Sequence, residues 1–339
     1  MKAAYWKPRQ GKQGEEIEAL ECLLCPRRCV IAEGRTGFCR VRRNVKGELV
    51  AVNYGALSSH ALDPIEKKPL YHFFPGSAIM SLGTWGCNLA CRFCQNWQIA
   101  HGEPRVVELS PAAAAAAALE LKPQNNIGIA YTYSEPSVWF EFVRDTAPLV
   151  RKAGMKNVLV TNGFIEREPL EEILPLIDAM NIDVKAFTEH FYREICGGGR
   201  LEDVKRTVEN AAARCHVEVT TLIIPGLNDS AAEIAALARW LAGVRRDIPL
   251  HFSRYFPNYK LNLPPTPVAT LMAAKETAAA FLDYVYIGNV GAADNNTYCP
   301  ACGALVIDRL YGLSRLTEEK KCPECGAPIN IAGTVMFRR

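Results

Sequence analysis

Short runs of aliphatic and β-branched residues alternate along the middle of the chain with longer stretches in which apolar residues recur at helical spacing. The short runs predict strands at residues 79–83, 127–131, 158–161, 182–185, 217–224 and 250–253. The longer stretches predict helices at residues 111–118, 136–152, 169–179, 201–213, 231–242 and 267–281. This alternation indicates an α/β fold with a parallel sheet, and its strand–helix units fit a partial (β/α)6 barrel at least as well as a doubly wound sheet.

Two of these helices carry start signals in the sequence. Ser110 precedes Pro111 and a run of alanines, which predicts an N-cap with proline in the first turn. Ser230 and Glu233 have the spacing of a capping box. Because the chemistry of such barrels lies in the loops that follow the strands, polar residues in those loops are the first candidates for a site.

Cysteines are the most informative feature of the composition. Eleven of the thirteen fall into three tight groups, at 22/25/29/39, 87/91/94 and 299/302/322/325. The first residues lack the apolar stretch of a signal peptide, so we expect a cytoplasmic protein whose thiols stay reduced and bind metals. We divide the chain into an N-terminal cysteine-rich segment at 1–75, a barrel at 76–292 and a C-terminal cysteine-rich segment at 293–339.

The remaining composition excludes some classes of function. Hydrophobic residues make up 49% and charged residues 22% of the 339 residues, which is typical of a folded globular chain. The net charge of +3 gives no reason to expect a nucleic acid or a membrane surface as partner. No run of about 18 apolar residues predicts a membrane-spanning helix.

The central group has the spacing C-x3-C-x2-C directly after a predicted strand. Thiolates of Cys87, Cys91 and Cys94 can bind three irons of a cubane cluster and leave the fourth iron open. An open coordination position is what makes a metal centre reactive rather than structural. A zinc site completed by His101 is the alternative.

This motif, with Phe93 before its last cysteine, resembles the signature of the radical S-adenosylmethionine (SAM) superfamily. The resemblance implies a 4Fe–4S cluster whose open iron binds SAM, cleavage of SAM to a 5′-deoxyadenosyl radical, and hydrogen abstraction from a substrate. It also implies that Ser134 and Glu135 occupy the position of a Gly-Gly-Glu element that holds the SAM amino group, although here the glycines are replaced. The alternative interpretation of Ser134 and Glu135 is a helix cap.

Three further strand ends resemble the branch of pyruvate formate-lyase activating enzymes. The resemblance implies that Asn162, Asp183 and Lys185 line the SAM and substrate pocket; turns or surface ion pairs are the alternative. We interpret Asn228 with Asp229 as a turn and helix cap. We interpret His251 as a residue of the core or of the pocket wall, and a catalytic role is the alternative.

The last group has the pattern C-x2-C-x19-C-x2-C, with glycine after each pair. Four thiolates at Cys299, Cys302, Cys322 and Cys325 predict a zinc ribbon, because a segment this short needs a metal to stabilise it. A rubredoxin-type iron site is the alternative.

The first group, at Cys22, Cys25, Cys29 and Cys39, predicts a metal site whose metal the spacing does not decide. Zinc and an auxiliary iron–sulfur cluster fit equally well. Six arginines surround the group, either to offset thiolate charge or to contact a carboxylate or phosphate. Cys196, in a glycine-rich loop, is interpreted as a small buried residue or as a mobile pocket thiol.

Taken over its whole length, the chain resembles the radical SAM member of the AmmeMemoRadiSam system. The N-terminal cysteines, the Gly86–Asn96 string and the C-terminal cysteine pairs carry this resemblance. It implies companion proteins of that system as partners, and a reductant such as flavodoxin or ferredoxin. A glycyl-radical enzyme activase is the alternative enzyme, and a non-enzymatic metal-binding adaptor is the alternative of another class.

Overall fold

The alternating pattern folds into one large sheet with helices packed on it and four small sheets around it. The structure is a computed structural model that describes residues 1–9, 19–291 and 294–338. The predicted boundary between residues 292 and 293 lies outside the described residues.

The strands and helices of the described chain are numbered in chain order. The strands are β1 (Trp6–Arg9), β2 (Ala19–Cys22), β3 (Val30–Ala32), β4 (Arg42–Val45), β5 (Glu48–Ala51), β6 (Ala56–Leu57), β7 (Ser59–Pro64), β8 (Ala78–Gly83), β9 (Val107–Glu108), β10 (Asn126–Tyr131), β11 (Lys156–Thr161), β12 (Ala179–Asp183), β13 (His216–Ile223), β14 (Leu250–Arg254), β15 (Val285–Gly288), β16 (Thr297–Tyr298), β17 (Leu305–Asp308) and β18 (Leu313–Ser314). The α-helices are α1 (Trp97–Ala100), α2 (Pro111–Glu120), α3 (Phe140–Lys152), α4 (Arg167–Ile173), α5 (Glu189–Glu194), α6 (Leu201–Ala212), α7 (Ala231–Arg245) and α8 (Val268–Ala279). Short 3-10 helices span Ile65–Lys67, Lys122–Gln124, Pro136–Trp139 and Leu174–Leu176.

The large sheet has the order β15-β14-β13-β12-β11-β10-β8-β7. All neighbours in it are parallel except β7, which runs antiparallel to β8. The register places Tyr131 beside both Leu82 and Leu159, and Asp183 beside Thr220. The carboxyl ends of these strands therefore meet along one edge of the sheet. The predicted mostly parallel α/β sheet is confirmed.

The starts of two helices follow from the sequence. Ser110 Oγ accepts a hydrogen bond from the backbone N–H of Ala113 at 3.2 Å and so caps α2 as predicted. The Ser230 hydroxyl caps α7 in the same way through the N–H of Glu233. The Glu233 carboxylate does not complete the capping box, because it accepts instead from the N–H of Phe187 at 2.6 Å.

The structure corrects the predicted helix at 169–179 and the predicted strand at 182–185. Helix α4 ends at Ile173 and gives way to a 3-10 turn that contains Pro175, since proline removes a helical donor. Strand β12 begins at Ala179 and ends at Asp183. Lys185 has left the sheet, and its N–H donates to the hydroxyl of Tyr192 rather than to a neighbouring strand.

The structure also contains short elements that were not predicted. Helices α1 and α5 have only four and six residues, too few to show a helical period in the sequence. Strand β15, with four residues, is another such short element at the edge of the large sheet, where it adds a seventh parallel strand. The six predicted strand–helix units are thus followed by one further strand.

The C-terminal segment packs against the same sheet. His72 Nδ1 donates to the carbonyl of Asn330, and His72 Nε2 is hydrogen-bonded to the hydroxyl of Tyr286, each at 2.6 Å. The Phe74 N–H donates to the carbonyl of Ala332, and the Ala332 N–H donates to the carbonyl of His72. This buried contact fixes the last cysteine group to the large sheet.

Candidate cluster and cofactor site

A cavity of about 570 Å³ opens at the carboxyl ends of the parallel strands. Its size is within the range of ligand pockets in proteins. Every site residue that the sequence predicts in the middle region lines it: Cys87, Cys91, Phe93, Cys94, Ser134, Glu135, Asn162, Asp183 and Lys185. Four separate loops thus bring these residues to one place.

The three central cysteines lie on the loop after β8. Burial raises the pKa of the Cys87 thiol well above its ordinary value and that of Cys94 to about 11. The neighbouring Cys196 thiol, together with burial, raises the pKa of Cys91. A bound metal would supply the positive charge that favours the thiolate form at such a site. The backbone N–H of Leu89 already points at Cys87 Sγ, at 3.4 Å.

The segment at Tyr133–Glu135 combines a strained backbone with a buried carboxylate. Tyr133 has φ of +68°, a left-handed conformation that glycine adopts most easily. Glu135 Oε1 accepts hydrogen bonds from the N–H of Ser137 at 3.0 Å and from the hydroxyl of Thr161 at 2.6 Å. Its Oε2 accepts from the N–H of Asn162 at 2.8 Å. Glu135 is thus a helix cap that also lines the cavity.

Asn162 connects this carboxylate to the cluster loop. Its side-chain amide donates to Asn88 Oδ1 at 2.9 Å and lies 3.7 Å from Cys87 Sγ. Asn88 is fully buried and donates in turn to the carbonyl of Phe164 at 2.6 Å. The position of Cys87 therefore depends on a connected set of hydrogen bonds that ends at Glu135.

Asp183 and Lys185 form an ion pair on the opposite side of the cavity. Lys185 Nζ lies 2.9 Å from Asp183 Oδ2 and 5.9 Å from the centre of the Phe93 ring. Burial disfavours the charge on Lys185, but Asp183 raises the pKa of the ammonium well above its ordinary value. The pair thus presents one fixed positive and one fixed negative group to the cavity.

A second charged group lines the cavity and was missed in the sequence. Asp63, in β7, accepts from Lys68 Nζ and from the hydroxyls of Ser81 and Tyr133, at 2.9 to 3.0 Å. Burial alone would raise the pKa of Asp63, but these hydrogen bonds and the charge of Lys68 lower it. No motif marks these residues, because they come from separate strands and loops; the charged Asp63 in a short β-strand was the one available signal.

The structure also shows the surroundings of three other candidates from the sequence, which are His101, His251 and Cys196. His101 stacks on Tyr259 at 5.7 Å, and among the described residues it forms no tight group with the central thiols. His251 is buried and bonds to Glu218 Oε2 at 2.7 Å, which places it in the core. Cys196 is also fully buried. His101 is not among the residues that line the cavity with the central thiols.

Asn228 and Asp229 form the predicted turn. Asn228 accepts from the N–H of Ile224 at 2.7 Å and donates to the carbonyl of Lys185 at 2.8 Å. Asp229 accepts from the N–H of Gly226 at 3.0 Å. The turn therefore holds the backbone of Lys185 beside the cavity.

The four C-terminal cysteines form a compact tetrad, with all sulfur atoms within 4.8 Å of one another. The sulfurs of Cys299 and Cys325 are 3.6 Å apart, as are those of Cys302 and Cys322. Four ligands at about 2.3 Å from one tetrahedral ion would be about 3.8 Å apart, so the tetrad fits a single metal ion. Gly303 and Gly326 both have φ of +73°, and their N–H groups donate to the carbonyls of Cys299 and Cys322. Each pair thus forms a knuckle, which glycine makes possible.

The N-terminal cysteines converge too, at a different place. Cys22, Cys25, Cys29 and Cys39 line a small cavity beside the cluster loop, together with Arg27 and Arg42. Of the six arginines near this group, these two face the thiols.

In the part of the chain that the structure describes, no helix combines the length and apolar character required to cross a bilayer.

Comparison with known proteins adds a family to this geometry. Residues 82–241 match the model of the Radical SAM superfamily. An uncharacterised protein of Methanocaldococcus jannaschii is 45% identical over 324 residues, which cover 92% of this chain and 95% of that protein. The pyruvate formate-lyase 1-activating enzyme of Escherichia coli is 24% identical over 169 residues, which cover 48% of this chain and 68% of that enzyme.

A solved structure shares the fold. Streptococcus suis SuiB bound to precursor peptide SuiA superposes with a TM-score of 0.51 and 14% sequence identity, over 66% of this chain and 51% of that one. At this identity the likeness extends to the arrangement of strands and helices alone.

Proposed function

This chain belongs to the radical SAM superfamily and is an enzyme, and from that premise we propose that it is the radical SAM member of an AmmeMemoRadiSam system. Membership of the superfamily implies a 4Fe–4S cluster and SAM. The convergence of four loops on one cavity, with three cysteines on one of them, is the observation that carries the radical SAM chemistry in this proposal. The resemblance of all three cysteine groups supports the assignment to the system. The non-enzymatic adaptor is no longer a candidate.

In this proposal Cys87, Cys91 and Cys94 hold the cluster. When bound, the cluster supplies the electron that cleaves SAM to methionine and a 5′-deoxyadenosyl radical, which takes a hydrogen atom from the substrate. The loop provides three buried thiols and directs the Leu89 N–H at Cys87 Sγ. Asn162 adds a second donor to the same sulfur at 3.7 Å. These donors stabilise thiolate charge and orient the loop.

The rest of the cavity wall supports SAM binding. SAM carries an ammonium, a carboxylate and an apolar adenine, and the wall offers carboxylates, an ammonium and the Phe93 ring. Ser134 and Glu135 are assigned to the amino group of SAM. Asn162, Asp183 and Lys185 are assigned to the remaining SAM and substrate contacts. Partial burial of the Asp183–Lys185 pair strengthens its field at the ligand.

The finer organisation follows from the same proposal. The large sheet and its six strand–helix units are taken as a partial (β/α)6 barrel at 76–292, between an N-terminal metal-binding segment at 1–75 and a zinc ribbon at 293–339. The tetrad at Cys299, Cys302, Cys322 and Cys325 supports a single metal ion in the ribbon, which we assign as zinc. A cytoplasmic reductant such as flavodoxin or ferredoxin would supply electrons, and companion proteins of the system are the expected partners.

Anaerobic reconstitution of the full chain tests the chemistry. With dithionite and SAM we expect 5′-deoxyadenosine, and no product from Cys87→Ala, Cys91→Ala or Cys94→Ala. Cys215→Ala is the matched control, since Cys215 lines neither the cavity nor the tetrad. Cleavage retained by any one of the three variants would contradict the ligand assignment.

A glycyl-radical enzyme activase is the second candidate, favoured by the 24% identity to the pyruvate formate-lyase 1-activating enzyme. Its substrate would be a backbone glycine of a partner enzyme. A glycyl-radical signal in the electron paramagnetic resonance (EPR) spectrum of such a partner, dependent on SAM and this chain, would favour the activase. The relative that matches 92% of the chain is uncharacterised, so full-length similarity does not assign a substrate.

A further inference from the structure

The three cysteine groups differ in how far apart their sulfur atoms lie. In the C-terminal tetrad all four sulfurs lie within 4.8 Å of one another, as one shared ion requires. Within the described residues, no three sulfurs of the N-terminal group are that close, and the same holds for the central group. A cubane gives each cysteine its own iron, so its ligands stand further apart than those of a single ion. The N-terminal group therefore resembles the central one and not the tetrad.

The surroundings of the N-terminal thiols also fit a cluster. The small cavity between the four thiols is lined by cysteines, apolar residues and one glycine, apart from Arg27, Arg42 and Asn88. Arg42 is 1% exposed and lines this cavity, and its Nε–H is buried without an acceptor in the described structure. The rest of its guanidinium is bound to Glu141 Oε1 at 2.8 Å and to the carbonyl of Ala4. This buried N–H lacks a hydrogen-bond acceptor, and a sulfur of a cluster held by the four thiols would supply one.

The N-terminal cavity lies directly against the central cluster loop. Asn88, next to Cys87 in the chain, is part of its wall. Gly86 has φ of +91°, and a Cβ there would stand 2.7 Å from the carbonyl oxygen of Cys39. Arg27 bridges the two loops, because it lines the N-terminal cavity and donates to the carbonyls of Asn88 and Gly197.

We propose that Cys22, Cys25, Cys29 and Cys39 hold a second, fully ligated 4Fe–4S cluster that passes electrons to the central cluster. The transfer moves one electron at a time and makes or breaks no bond. A one-electron protein reductant of the flavodoxin or ferredoxin class is oxidised, the N-terminal cluster is reduced and reoxidised, and the central cluster receives the electron. The relay rests on the proposed SAM chemistry, whereas the identity of the N-terminal cluster does not.

The identity of the N-terminal cluster is tested without an activity assay, in the Cys87→Ala/Cys91→Ala/Cys94→Ala triple variant of the full chain. We expect about four irons per chain, one zinc, and iron–sulfur absorbance that an EPR signal confirms after reduction. Adding Cys25→Ala and Cys29→Ala should remove the iron and leave the zinc, with Cys215→Ala as control and circular dichroism as the check of folding. Two zinc ions and no iron in the triple variant would overturn the proposal.

The relay is tested in Cys25→Ala/Cys29→Ala with the central cysteines intact. We expect SAM cleavage to fall at least about 10-fold with reduced flavodoxin and to persist with dithionite, a small reductant that can enter the open central cavity. Equal cleavage by wild type and variant with flavodoxin would overturn the relay. Loss of cleavage in the wild type with both reductants would instead contradict the proposed function, while the iron content of the triple variant would still decide the cluster.

Discussion

Replacing Glu135 by glutamine preserves the size of a buried side chain and removes its charge. Glu135 accepts three hydrogen bonds, from the N–H of Ser137, the hydroxyl of Thr161 and the N–H of Asn162. Glutamine has one oxygen and one NH₂ group at these positions. If its oxygen keeps the first two bonds, its NH₂ faces the Asn162 N–H, and two donors then point at each other in a buried site.

The expected cost follows from that mismatch. A buried donor without an acceptor costs about 1–3 kcal/mol, so we expect the free energy of unfolding to fall by that amount in Glu135→Gln. A contact between the carboxylate and the SAM ammonium would contribute a further effect on binding alone. Charge-assisted bonds contribute about 1.5–3 kcal/mol, which corresponds to a roughly 10- to 100-fold rise in the dissociation constant of SAM.

Urea unfolding and SAM binding separate the two effects. The first measures the hydrogen bonds, and the second, on reconstituted protein with its iron content checked, measures the ligand contact. Glu171→Gln is the control, because Glu171 lies on α4 in an exposed position. An unchanged free energy of unfolding in Glu135→Gln would refute the hydrogen-bond argument, and lower stability with an unchanged dissociation constant would show that Glu135 is a helix cap and does not contact SAM.

Two further predictions concern the C-terminal segment. Cys302→Ser/Cys325→Ser should remove one zinc per chain and leave the iron unchanged, because the tetrad is separate from both other groups; metal analysis checks this, and iron loss would show that the groups are wrongly divided. Burial lowers the pKa of His72 in the folded chain to about 3, whereas its value in the unfolded chain is about 6.5. Between these pH values the unfolded chain binds one more proton than the folded chain. Stability that is present above the unfolded pKa is therefore lost as the pH falls. From pH 7 to 5 we expect the free energy of unfolding to fall by about 2 kcal/mol from this group, measured by urea titration. This contribution should disappear in His72→Gln and persist in His190→Gln, and equal pH dependence in both variants would contradict it.

Features that depend on neighbouring residues in the chain could be predicted. The inner parallel strands of the large sheet are rich in apolar residues and largely buried on both faces, and β10 is buried at every position. The start of α2 is equally local, since Ser110 bonds to a residue three positions later. Parallel strands then bring the loops after them to one edge, so strand ends were sufficient to group Asn162 and Asp183 with the cluster loop.

Features that depend on residues far apart in the chain were missed. Asp63 reaches the cavity because β7 pairs antiparallel with β8, a pairing that neither strand specifies by itself. Glu218 is buried in the middle of β13, where it accepts from His216 and His251 and from two backbone N–H groups. A carboxylate inside an apolar strand was the signal for this network, but apart from His216 in the same strand its partners come from two distant segments, at residues 71–72 and at His251.

The cysteine groups show where spacing stops being informative. Both flanking groups contain C-x2-C, yet only the C-terminal pairs are followed by glycine. Gly303 reaches φ of +73° and returns its N–H to the carbonyl of Cys299, which draws the two thiols toward one ion. After Cys25 the chain has Pro26, which has no N–H to donate, and the Arg28 N–H bonds to the Cys25 carbonyl instead. The residue that follows the second cysteine thus separates two geometries that share one spacing, and the wider geometry is the one that leaves room for a cluster.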